Sequence, residues 1–194
     1  MSRTIRSFIA IPIEPTEQLS RFLGSLRKIQ GTVRTNRPEM LHFTIAFLGE
    51  TKDHQIASVC EVMNQIAQQT HEQQLTLSGV GSFPNPKRPR VVWVGCHPQQ
   101  PMISLADRLT GALETVGFPR EGRRFTPHLT VARVNGKPPE TLTELIDTHR
   151  DHAYGEFLFD RMVYYRSELS RSGSKYTILQ VSVFSGDPDD EVIR

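Results

Sequence analysis

A chain of 194 residues with 37% hydrophobic and 23% charged side chains carries enough apolar surface to bury a core, which excludes a disordered polymer. Its 23 Lys and Arg against 21 Asp and Glu leave a formal charge of +2, so bulk charge alone makes no case for nucleic-acid binding. Two cysteines, Cys60 and Cys96, cannot form a disulfide framework and lack metal-ligand spacing, so both read as small reduced thiols.

Along the chain, the opening "MSRTIRSFIAIPI" is too short an apolar run for a signal peptide and is interrupted by Arg3 and Arg6. No apolar run approaches a membrane span, and the protein is expected in the cytoplasm. Residues 5–13 are apolar and β-branched and stop at Pro12 and Pro15, which predicts a strand. Residues 16–30 place Leu19, Phe22, Leu23 and Leu26 at helical spacing. A strand over 41–50, ended by Gly49, precedes a second amphipathic helix over 52–69. Residues 75–83 and 90–96 are strands flanking a Pro- and Arg-rich loop, as a hairpin or neighbouring pair. A third helix covers 102–117, closed by a Gly cap, and "FTPHLTVARV" follows as a strand. Residues 139–150 form a shorter helix. Residues 156–169 and 176–184 are two strands joined by the turn "RSGSK", and residues 187–194 form an acidic tail. Strands that follow one another directly predict an α+β fold with largely antiparallel sheet. The order strand, helix, strand, helix, strand pair occurs twice and suggests two lobes related by duplication.

Two short phrases stand out within this order, "LHFTIAFLG" at 41–49 and "FTPHLTVAR" at 125–133. Successive strand residues point to opposite faces, so His42 and Thr44 share one face, and His128 and Thr130 share another. The alternate residues Phe43, Ile45, Leu129 and Val131 are free to fill a core. Packed about a rough two-fold, the two His–Thr pairs face one cleft. Two imidazoles supply a general base and a general acid near neutral pH, and threonine hydroxyls donate to phosphoryl oxygens. Phosphoryl transfer also needs a fixed cation. Arg133, five residues after His128, has the right head group. Ideal alternation turns it the wrong way, so a bulge or strand end has to re-aim it. The equivalent residue after His42 is Phe47, read either as a core aromatic or as a stacking partner for a nucleobase. Arg88, Arg90, Arg123 and Arg124 are either RNA-backbone contacts or solvated loop cations. The remaining histidines (54, 71, 97, 149 and 152) carry no motif and are expected on the surface or in loops. His149 and His152 at i, i+3 lack a third metal ligand.

The two His-x-Thr-x runs, "HFTI" and "HLTV", resemble the signature of the 2H phosphoesterase superfamily. Within it, the chain resembles the RNA 2′,3′-cyclic phosphodiesterases, also called 2′-5′ RNA ligases. The likeness extends to "IRSFIAIPI" and "GVGSFPNPKRPRVVWVG" and covers nearly the whole chain. Phe43 and Ala46 stand where that family often has Leu and Lys. The resemblance implies a bilobal α+β fold, two pseudo-symmetric lobes of mostly antiparallel sheet with outer helices about a central cleft, formed by residues 1–186 as one domain. It implies hydrolysis of RNA 2′,3′-cyclic phosphodiester ends to 2′-phosphomonoesters, with 2′-5′ ligation where an RNA 5′-hydroxyl attacks the cyclic phosphate, and no metal or other cofactor. Carried onto this sequence, it makes His42 the proton donor and His128 the proton acceptor, with Thr44, Thr130 and Arg133 on the phosphate. The expected partner is an RNA end, met by a monomer. An RNA-end binding module without turnover and a phosphodiesterase of small cyclic nucleotides are the alternatives.

Overall fold

The computed structural model describes residues 4–29, 31–120, 122–170 and 173–185; the acidic tail and two residues of the "RSGSK" turn lie outside them. Strand β1 (Thr4–Pro12) is followed by helix α1 (Glu17–Lys28). The Thr16 hydroxyl caps that helix by accepting from the Leu19 N–H at 3.1 Å. Its buried stripe is Leu19, Phe22, Leu23 and Leu26, the four residues whose spacing predicts it. A short strand β2 (Val33–Thr35), which the pattern does not announce, and a 3₁₀ turn (Pro38–Met40) then lead into β3 (His42–Lys52).

Helix α2 (Asp53–Gln68) buries Val59, Val62, Met63, Ile66 and Ala67. Strands β4 (Gln73–Phe83) and β5 (Val91–His97) pair antiparallel around the Pro- and Arg-rich loop, as expected. Helix α3 (Gln100–Glu114), β6 (Leu129–Val134), α4 (Glu140–Thr148), β7 (Ala153–Phe159), β8 (Arg161–Ser170) and β9 (Gly173–Val183) complete the order.

Three boundaries differ from expectation. Gly49 does not end its strand: β3 runs on to Lys52, and the register slips at Leu48, beside Gly49 with its φ of +64°. The strand expected over 156–169 is two strands. The chain breaks at Asp160, β7 pairs with β4, and β8 pairs with β1 on the other side of the molecule. Residues 125–128 precede β6 as irregular chain.

All named pairings are antiparallel, and the sheet runs β7-β4-β5-β6-β3-β1-β8-β9, with β2 added beside β6. This order reads the same from both ends when β3 exchanges with β6, β1 with β5, β8 with β4 and β9 with β7. Among the described residues, the sheet passes from one half to the other where Phe43 of β3 meets Leu129 of β6. Those are the middle residues of the two His-x-Thr runs, so a rough two-fold passes through that pair. Helices follow the same exchange. α1 follows β1 yet packs on β2 and β7, and α3 follows β5 yet packs on β3 and α2. Phe43 and Leu129 are fully buried in an apolar core that both lobes share, and burying each such side chain stabilises by about 1.5–3 kcal/mol.

Candidate active site

The residue before each histidine is buried: Leu41 on one lobe and Pro127 on the other. This anchors the backbone and turns the carbonyl two residues upstream onto the ring. His42 Nδ1 lies 2.8 Å from the Met40 carbonyl, and His128 Nδ1 lies 2.7 Å from the Thr126 carbonyl. A carbonyl only accepts, so Nδ1–H is the donor in both, and each Nε2 is left as the nitrogen that gains or loses a proton. Both rings, with Thr44 and Thr130, line one open cleft of about 1510 Å³.

A bulge resolves the parity of Arg133. In β6, Thr130 pairs with Trp93 and Ala132 with Val92, so Val131 is an extra residue in the ladder. Val131 and Ala132 are both buried, and every residue beyond them changes face, which puts exposed Arg133 on the cleft side with His128 and Thr130. Asn36 pins the bulge: its Nδ2 donates to the Thr130 carbonyl and its backbone N–H to the Val131 carbonyl, both at 2.8 Å. The first lobe repeats the device. Thr44 pairs with Ala10 and Ala46 with Ile9, so Ile45 is the extra residue. Phe47 therefore stands where Arg133 stands by symmetry. At 64% exposure it is no core aromatic, and it lines the cleft.

Arg133 has no carboxylate partner among the described residues. Its cross-strand neighbour is Arg34, also in the cleft wall. Like charges placed opposite one another repel, and an anion between them relieves that repulsion. Arg6, Arg37 and Lys175 extend the cationic wall, against Glu14 and Glu39. None of Arg6, Arg34, Arg37 or Lys175 carries a motif in the sequence; strand pairing alone brings them together.

The two histidines sit in unlike surroundings. His42 packs against Phe8 (ring centroids 5.1 Å) and edge-to-face with Tyr176 (5.5 Å). His128 and Phe83 pack edge-to-face, ring centroids 5.1 Å apart. Burial holds the His42 pKa below its ordinary value of 6.5; the Met40 carbonyl opposes this, and the nearby His128 adds to it. An anion between the rings acts the other way. Titration of His42 followed by NMR is expected to give a midpoint below 6.5 in the free protein, moving upward when inorganic phosphate binds. A free-protein midpoint at or above that ordinary value contradicts the geometry.

The four loop arginines separate. Arg123 and Arg124 line a second cavity beside the cleft, and Arg123 lies over the Phe83 ring at 5.9 Å. Arg88 and Arg90 are exposed in the β4–β5 loop and line neither cavity. His149 lies, as expected, in a turn, the one that ends α4; it is half-buried there, with Nδ1 2.8 Å from the Tyr154 hydroxyl and its ring on Phe22. Among the described residues, no three His, Cys, Asp or Glu side chains gather as a metal site. No described helix is long and apolar enough to cross a membrane.

Comparison with known proteins shows the family and the fold. The family model described as the 2′-5′ RNA ligase superfamily matches residues 15–171. The RNA 2′,3′-cyclic phosphodiesterase of Archaeoglobus fulgidus is 32% identical, over 91% of this chain and 99% of its own. That of Thermotoga maritima is 31% identical, over 94% of this chain and 97% of its own. Among solved structures, TT0787 of Thermus thermophilus superposes with a TM-score of 0.79 at 24% identity, covering 94% of this chain and 100% of that one. E. coli LigT complexed with 3′-AMP gives 0.75 at 24% identity, with 94% and 99% covered. At that identity the structural likeness establishes the fold.

Proposed function

The chain belongs to the 2′-5′ RNA ligase superfamily, and from that premise we propose that residues 1–186 form one catalytic domain that opens RNA 2′,3′-cyclic phosphodiester ends to 2′-phosphomonoesters. The observation that carries the reading is the repeated unit: two histidines, each held through Nδ1 by the carbonyl two residues upstream, and each directly preceding the residue, Phe43 or Leu129, at which β3 and β6 meet. A binding module for RNA ends needs one cation and a shaped pocket; it has no use for a matched acid and base.

In this reading the phosphate lies between the lobes. Arg133 neutralises its non-bridging oxygens, and Thr44 and Thr130 donate hydrogen bonds to them. His128 Nε2 takes a proton from a water placed in line with the phosphorus–O3′ bond. His42 Nε2–H gives a proton to O3′ as that bond breaks, and the phosphate stays on O2′. The donor has to be charged when the substrate arrives. The anionic phosphate supplies the compensating field, because it favours the imidazolium that burial disfavours. As pH rises through the lowered His42 midpoint, the protonated fraction in the free protein shrinks. The alkaline limb of kcat/KM therefore begins below the ordinary histidine value of 6.5.

The size of the cleft favours RNA over a small cyclic nucleotide. At about 1510 Å³ it exceeds the roughly 300–1,000 Å³ of a small-molecule pocket, and its cations extend well beyond the histidine pair. Turnover of a short oligoribonucleotide with a cyclic end is expected to show a higher kcat/KM than turnover of the cyclic mononucleotide with the same terminal base. Equal values would assign the site to small cyclic nucleotides.

A further inference from the structure

Resting on that reading, we infer that Arg34 forms a second anion subsite. It takes the phosphate immediately upstream of the cyclic end, so the cleft recognises a terminal nucleotide that carries phosphate on its 5′ oxygen. Three observations carry this.

The first is register. Arg34 of β2 stands directly across the ladder from Arg133 of β6, and strand residues so opposed share a face with Cβ atoms about 4.5–5.5 Å apart. Both side chains are exposed and line the cleft. Among the described residues, neither is paired with a carboxylate. A cyclic phosphodiester carries one negative charge, so holding it at Arg133 leaves Arg34 uncompensated. A second phosphate one nucleotide away supplies the missing charge, and the planar guanidinium suits it.

The second is construction. A three-residue strand has few ladder bonds of its own, and β2 is fastened at both ends. Just before it, the Thr32 carbonyl accepts from the Asn135 N–H at 2.9 Å, and the Thr32 hydroxyl donates to the Lys137 carbonyl at 3.0 Å. Just after it, Asn36 donates to the Thr130 and Val131 carbonyls. The backbone of Arg34 is thus tied to the strand that carries Arg133. A solvated surface cation needs no such fastening.

The third is direction. The symmetry mate of Arg133 is Phe47, and Phe8, Tyr165 and Tyr176 line the cleft on that same lobe, so the cleft has a cationic side and an aromatic side. The chain leads from β2 through the 3₁₀ turn straight to His42, whereas Phe47 lies further along β3, past Thr44. With His42 protonating O3′, the ribose of the terminal nucleotide lies on the His42 side of the phosphorus. The 5′ carbon of that ribose carries the upstream phosphate, which Arg34 meets while the base turns to the aromatic side.

The test gives the full-length protein two substrates, adenosine 2′,3′-cyclic phosphate and the same compound with a 5′-phosphate. Wild type is expected to show kcat/KM at least about tenfold higher for the 5′-phosphorylated one, the scale of a charge-assisted contact. Arg34→Thr replaces an exposed side chain by one suited to strands. It is expected to cut that ratio at least about fivefold; a smaller wild-type preference or a smaller cut overturns the subsite. Lys175→Ser, in the same cationic wall, tells a specific contact from diffuse charge. It is expected to cut the ratio less than Arg34→Thr does, and an equal cut overturns the subsite. Binding without turnover keeps this apart from the catalytic reading. Adenosine 2′,5′-bisphosphate is expected to bind at least about tenfold more tightly than adenosine 2′-monophosphate, and Arg34→Thr to cut that preference at least about fivefold, even where cyclic ends stay intact. A smaller cut overturns the subsite while leaving hydrolysis standing.

Discussion

Replacing His42 or His128 with alanine is expected to lower the rate of cyclic-phosphate opening by roughly two or more orders of magnitude, the usual scale for a positioned general acid or base. Alanine also removes the ring that packs against Phe8 and Tyr176 or against Phe83, so part of its effect can be structural. Asparagine separates the contributions. Its amide N–H can still donate to the Met40 or Thr126 carbonyl, but it neither takes nor gives a proton at the position of Nε2. His42→Asn and His128→Asn are therefore expected to fold and to be nearly as slow as the alanine variants. Because both groups act in one displacement, the double variant should be much less impaired than the product of the single effects. Single-turnover rates with a saturating cyclic-ended oligonucleotide measure this. Near-normal turnover by either asparagine variant would remove acid–base catalysis from the account.

Arg133→Ala should have the next largest effect, roughly a hundredfold to a thousandfold in kcat/KM, comparable to the loss of a donor aimed at developing charge in other enzymes. Two structural facts support a value in that range. Arg133 has no carboxylate partner among the described residues, so its charge is not already neutralised by the protein. Its position also depends on the Val131 bulge, which Asn36 holds by two hydrogen bonds. Lysine keeps the charge and loses the planar multi-donor head, so Arg133→Lys should recover only part of the rate. A full recovery would reduce Arg133 to a diffuse cation, and an unaffected Arg133→Ala would place the phosphate elsewhere.

What is legible in the sequence follows from the range of the physics. Helical stripes such as Leu19, Phe22, Leu23 and Leu26 are local patterns, and they place α1 correctly. The β4–β5 hairpin and the two His-x-Thr strands are legible for the same reason. Strand β2 escapes the pattern because three residues carry no period, and its existence depends on β6 alongside it. The break at Asp160 is hidden within one apolar run, since only the partners differ: β4 for the first half and β1 for the second.

The bulges are the most instructive omission. Both runs carry a doubled apolar pair after the threonine, Ile45-Ala46 and Val131-Ala132. In a strand with one face exposed, two consecutive buried residues signal an extra residue in the ladder. That signal is present in the sequence, and it places Phe47 and Arg133 on the histidine face without any appeal to related proteins. The anchoring carbonyls have no such signal. Met40 and Thr126 share no side-chain chemistry, because the backbone makes the bond. The cationic wall of Arg6, Arg34, Arg37 and Lys175 likewise comes from three separate stretches of chain and exists only once the sheet has formed.

The central claim is that two histidines open a cyclic phosphate on one defined side, and the position of the product phosphate tests it most directly. An oligoribonucleotide ending in a 2′,3′-cyclic phosphate is incubated with the protein, and the product terminus is identified by separation against synthetic 2′-phosphate and 3′-phosphate standards. With His128 activating water in line with the phosphorus–O3′ bond, the product is the 2′-phosphate with a free 3′-hydroxyl. A 3′-phosphate product, or cyclic ends left intact, would contradict the account.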